Sequence, residues 1–82
     1  MTIIDTIAAG LDGATAWTDP RGDRHLAASS GSRLVSVAPT GSGVRVSTWI
    51  DHGVDGRSWC DGRNYRTAAG ALRFARAHLR TA

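Results

Sequence analysis

Eighty-two residues form one domain, 1–82, with a single core and no room for a buried cofactor beside a substrate domain. All ten basic residues are Arg and all seven acidic ones are Asp, for a net charge of +3; the one cysteine, Cys60, excludes an intrachain disulfide and fits a reducing cytosol. The N-terminus lacks a basic segment followed by a long apolar run, and no apolar run nears the roughly 18 residues of a membrane span, so a cytoplasmic protein without a membrane partner is expected.

In chain order, Thr2 to Leu11 reads as a short first helix. Ile3, Ile4, Ile7, Ala8 and Leu11 make one apolar stripe at helical spacing, Thr2 serves as N-cap and Asp5 as its capping-box partner. Gly10 and Asp12-Gly13 end it. Strands follow at Ala14–Thr18, Arg24–Ser29, Arg33–Ala38 and Val44–Ile50, separated by turns at Asp19-Pro20-Arg21-Gly22, Ser30-Gly31-Ser32 and Pro39 to Gly43. In the fourth, Val44, Val46, Thr48 and Ile50 face one way and Arg45, Ser47 and Trp49 the other. Asp51 to Gly56 reads as a loop, Arg57 to Cys60 as a short further strand, and Asp61-Gly62 as a hairpin turn into Arg63-Asn64-Tyr65. A second helix runs from Thr67 to Arg80, with Thr67 as N-cap. The fold class expected is α+β: a short N-terminal helix, an antiparallel meander of three to five strands, and an amphipathic C-terminal helix, with both helices on one sheet face.

Charge is segregated along the chain. Residues 1–61 carry five Arg and seven Asp, whereas residues 62–82 carry five Arg and no acid. At about 100° per residue, Leu72, Leu79, Ala75, Ala71, His78 and Phe74 fill one arc of the last helix, and Arg66, Arg73, Arg76 and Arg80 fill another. Three readings of that basic arc compete: a solvated face whose late Arg residues suit the helix C-terminus, a stripe for phosphate or carboxylate, or pairing with the chain's own Asp residues. A polyanionic or acidic partner suits the segregation, with Arg66, Arg73, Arg76, Arg80 and Arg63 as its contacts. Arg45 and Trp49 add stacking if they lie on the same side, and Trp17, Arg33 or Arg57 join them from neighbouring strands. A Trp that covers a core edge is the plainer alternative.

Other groupings point to no chemistry. His25, His52, Cys60, Asp51 and Asp55 follow no zinc or calcium spacing, and a lone Cys60 among scattered histidines suggests neither nucleophile nor base. Between Trp59 and Tyr65, Cys60 reads as a small buried residue. Arg21-Gly22-Asp23 is turn chemistry, and Gly41-Ser42-Gly43 precedes a strand where a phosphate loop precedes a helix. No catalytic residue, metal or cofactor is expected.

The helix, strand, strand, strand, helix order is similar to that of the double-stranded-RNA-binding domain. That domain opens its second helix with a Lys-Lys-x-Ala-Lys run; this chain has Thr67-Ala68-Ala69-Gly70-Ala71 there, so the likeness is one of layout. Size and the Arg, Ala, Asp and Gly bias also resemble small accessory proteins encoded by phages of high-GC bacteria. That resemblance implies binding to a host nucleic acid or host protein, including inhibition of a host defence. A non-enzymatic module that binds nucleic acid through the basic helix is therefore expected, with an acidic host protein as the alternative partner. A homodimer is compatible with the edges of a small sheet.

Overall fold

A computed structural model describes residues 2–80. The first helix, α1, spans Ile3–Ala9, one residue shorter than expected at its start and two at its end. Its capping box is complete: the Asp5 amide donates to the Thr2 hydroxyl at 3.2 Å, and the Thr2 amide donates to the Asp5 carboxylate at 3.3 Å. Seven residues cannot hold a helix alone, and α1 is stabilised by burying Ile4 and Ile7, with Leu11 just beyond it.

Five antiparallel strands follow: β1 Thr15–Thr18, β2 Arg24–Ser30, β3 Arg33–Pro39, β4 Val44–Asp51 and β5 Arg57–Tyr65. They lie side by side in chain order, as a meander joined by short turns requires. The first turn is held by Asp19, whose carboxylate accepts from the amides of Arg21 at 2.9 Å and Asp23 at 3.0 Å. The second helix, α2, spans Ala68–Arg80, and the Gly70 amide donates to the Thr67 hydroxyl that caps it at 3.2 Å.

Both helices cover one face of the sheet. Leu26 and Ala28 of β2, Val35 and Val37 of β3, and Val44 and Val46 of β4 meet Ile4, Ile7, Leu11, Ala71 and Ala75 in one core. Ala71 and Ala75 are fully buried, and their small side chains let α2 sit close to the strands. Leu72, Phe74 and Leu79 are half-buried along the flanks of that contact. Thr48 is the buried polar residue of this face; its hydroxyl donates to the Asp61 carbonyl at 3.2 Å.

Two expectations need correction. The loop after Ile50 begins one residue later, because Asp51 still belongs to β4, and it contains a 3-10 turn at Gly53–Asp55. Asp61-Gly62 is no hairpin turn: β5 is one continuous edge strand of nine residues. Its ladder with β4 pairs Thr48 with Asp61 but Trp49 with Trp59, so Cys60 is the extra residue of a β-bulge. Asp61 and Gly62 stay in the regular ladder, opposite Thr48 and Ser47, so the pair turns no corner.

Candidate nucleic-acid interface

The seven residues expected at a binding site fall on two opposite sides of the sheet. Arg66, Arg73, Arg76 and Arg80 lie on the helix side, exposed, and Arg63 joins them from β5. The ion pairs among the described residues are Arg24–Asp5, His25–Asp19 and Arg63–Asp61. Among the described residues, no Arg of α2 forms an ion pair with an Asp, which speaks against the reading of pairing with the chain's own Asp residues.

The helix-side arginines are not equivalent. Arg76 reaches across to α1, where its Nε and Nη2 donate to the Gly10 carbonyl at 3.2 and 2.8 Å. That carbonyl lies at the negative end of α1, so Arg76 acts as a C-terminal clamp on the neighbouring helix. Arg80 Nε donates to the Arg76 carbonyl at 3.4 Å, and both residues border a hollow of about 340 Å³ beside Asp12 and Ser29. Arg63 is held by Asp61 at 3.2 Å, with its guanidinium 5.1 Å from the centre of the Phe74 ring. Arg66 and Arg73 make no side-chain hydrogen bond or ion pair with any described residue. The sequence placed Arg66, Arg73, Arg76 and Arg80 on one arc, but the partner of Arg76 lies 66 residues away and left no local signal.

Arg45 and Trp49 sit on the other, open face of the sheet. The ladders arrange that face into rows that run across the sheet. Trp17, His25, Ala38, Arg45 and Asn64 form one row; Thr15, Ala27, Ser36, Ser47 and Gly62 the next; Ser29, Leu34, Trp49 and Trp59 the third. Trp17 and Arg57 thus join Arg45 and Trp49, as the sequence allowed. Arg33 does not: it pairs with Ile50 and shares the helix-side alternation of Val35 and Val37.

Trp59 was missed as a member of this face, and the bulge explains why. Asp61 lies opposite Thr48 on the helix side, and simple alternation would send Trp59 there too. The extra residue, Cys60, reverses the alternation, so Trp59 comes opposite Trp49 and Arg57 opposite Asp51. Cys60 itself is exposed rather than buried, because a bulged residue on an edge strand has no layer above it. A register shift between two strands leaves no pattern within either one.

The open face is held in place by local contacts. Trp49 Nε1 donates to the Ser36 hydroxyl at 3.4 Å, and His78 of α2 donates through Nε2 to the Trp49 carbonyl at 2.9 Å. His25 stacks on Trp17 with ring centres 5.7 Å apart and donates to the Asp19 carboxylate at 2.6 Å. That hydrogen bond is the main reason the Asp19 carboxyl is held below its ordinary pKa. Trp17 and Trp59 remain 44% and 54% exposed, so neither serves as a lid on the core.

No protein-family model, curated protein or solved structure matches this chain. No helix among the described residues is long and apolar enough to cross a membrane.

Proposed function

We propose that this protein is a non-enzymatic binding module that takes nucleic acid through phosphate contacts along α2. The observation that supports the reading is the row of exposed Arg66, Arg73 and Arg80, none of which has a carboxylate partner among the described residues. Guanidinium groups without such a carboxylate are suited to bidentate contact with phosphate. Arg76 contributes charge while clamping α1, and Arg63 is partly offset by Asp61. Arg45 and Trp49 belong to the opposite face and take no part in this contact.

Three phosphate contacts give a salt slope of about −2.7, so affinity for a mixed-sequence DNA duplex is expected to fall about 40-fold between 50 and 200 mM salt. Arg73→Ala is expected to weaken duplex binding and to reduce that slope by about 1 without changing the melting temperature. Fluorescence anisotropy with a labelled duplex measures both. A duplex that does not bind at low salt sinks the reading. So does a cellular partner that stays bound after nuclease treatment, which would favour the acidic host protein instead.

A further inference from the structure

The open sheet face forms a trough. Its floor is the middle row, Thr15, Ala27, Ser36, Ser47 and Gly62, small residues on five successive strands. Its walls are the rows on either side, with Trp17, His25 and Arg45 along one and Leu34, Trp49 and Trp59 along the other. Rows two residues apart along a strand lie roughly 7 Å apart, so the backbones that bear the walls lie about 14 Å apart, and five strands make the trough about 19 Å long. Part of it is a hollow of about 260 Å³ between Thr15, Ala27, Leu34, Trp49 and Arg57.

The far end shows why a glycine stands at position 62. A Cβ there would lie 2.6 Å from Arg45 Nη2 and 3.2 Å from the Trp59 ring. Glycine therefore lets a guanidinium from one wall and an indole from the other settle side by side over the floor. A flat ring with a phosphate-binding group beside it repeats the base and phosphate of one nucleotide. Arg45 and Arg57 are exposed and form no ion pair with any described residue. Asp51, opposite Arg57 in the ladder, accepts from the Gly53 amide at 2.8 Å, and Asp19 accepts from His25.

We propose that this trough binds single-stranded RNA, with bases stacked on Trp59, Trp49 and Trp17 and phosphates against Arg45 and Arg57. The inference is independent of the helix-side reading, since the two surfaces lie on opposite faces of the sheet. Bases within a duplex have no free ring face to offer, so an unpaired strand is the form that stacks on exposed indoles. An open sheet accommodates about two or three such bases. The floor selects the sugar: the hydroxyls of Thr15, Ser36 and Ser47 lie along it, and a ribose 2′-OH both donates to and accepts from such groups, whereas deoxyribose cannot. Trp and Arg also favour protein partners, but a floor of small hydroxyl residues offers little apolar surface for a protein anchor.

Anisotropy with a labelled uridine-rich RNA of ten nucleotides, the DNA of the same sequence, and a duplex tests the proposal on the full chain at low salt. The RNA is expected to bind more tightly than the DNA strand. Trp59→Ala is expected to weaken RNA binding about tenfold, Trp59→Phe to recover most of it, and duplex binding to stay within about twofold of wild type in both. Trp17→Ala, on the opposite edge strand, gives the same reading should Trp59→Ala fail to fold. The proposal is overturned if the RNA does not bind, if Trp59→Ala and Trp17→Ala bind it as wild type does, or if single-stranded DNA binds equally well. Loss of duplex binding with RNA binding intact would instead sink the α2 reading and leave this one standing.

Discussion

Arg73 and Arg76 stand three positions apart on one exposed helix arc, yet their surroundings differ. Arg76 makes two charge-assisted hydrogen bonds to the Gly10 carbonyl, and Arg73 makes none. Arg76→Ala is therefore expected to cost about 1 kcal/mol, since it unclamps the end of α1. Arg73→Ala should stay within about 0.5 kcal/mol. Urea melts followed by circular dichroism separate the two, and equal midpoints would mean that the clamp is not held in solution. The angular reading of α2 placed Arg73, Arg76 and Arg80 on the exposed side away from Ala71 and Ala75, because helical period is a local property; Arg66 precedes the helix and is outside that period. It was silent on Arg76, because the group that Arg76 meets belongs to another helix.

At the scale of elements, the strand alternation of β4 and the caps of both helices were legible, because each is written within a few consecutive residues. Gly41 and Gly43 looked alike as parts of one turn, but the structure distinguishes them. A Cβ on Gly43 would overlap the Tyr65 carbonyl oxygen and come within 2.9 Å of the Arg66 Cα, where β5 passes into α2. Backbone cannot give way as a flexible side chain does. Gly43→Ala is thus expected to destabilise the protein by about 2 kcal/mol or more. Gly41→Ala, with nothing within 4 Å of its Cβ, should leave the melting temperature nearly unchanged. Matching melts for the two variants would show that the entry to α2 is looser than the structure has it. The single bulge at Cys60 has the larger consequence among the elements, because it moves Trp59 and Arg57 from the helix side to the open face.

For the molecule as a whole, α1 is tied to the rest by its buried Ile4 and Ile7 and by polar links at both ends. Its N-terminal link is the Arg24–Asp5 pair, 3.1 Å apart, and its C-terminal link is Arg76. The Asp5 carboxyl is held below its ordinary pKa, first by the Thr2 hydroxyl and then by Arg24; Asp19 is lowered chiefly by His25. With folded values below the unfolded carboxylate value of about 3.9, protons bind the unfolded chain first as pH falls. These links therefore stabilise the fold fully above that value and lose their contribution as pH drops through the folded values. The melting temperature is expected to fall below about pH 4, and Asp5→Asn should lower it at pH 7 and flatten part of the acid slope. An Asp5→Asn variant with an undiminished acid slope would show that the capping box and the Arg24 pair do not form in solution.

The sequence by itself determined the kinds of elements, their order, the inward and outward alternation of β4 and the two-faced character of α2. These follow from periods of 2 and 3.6 residues, which any stretch of chain carries within itself. The tertiary structure decided which surfaces are shared. It set Arg45 and Trp49 apart from the basic helix, recruited Arg76 to α1, and turned Trp59 toward Trp49. Each of those outcomes depends on a partner strand or helix distant in the chain: register, crossing side and bulge position are relations between elements, and packing settles them only when the elements meet.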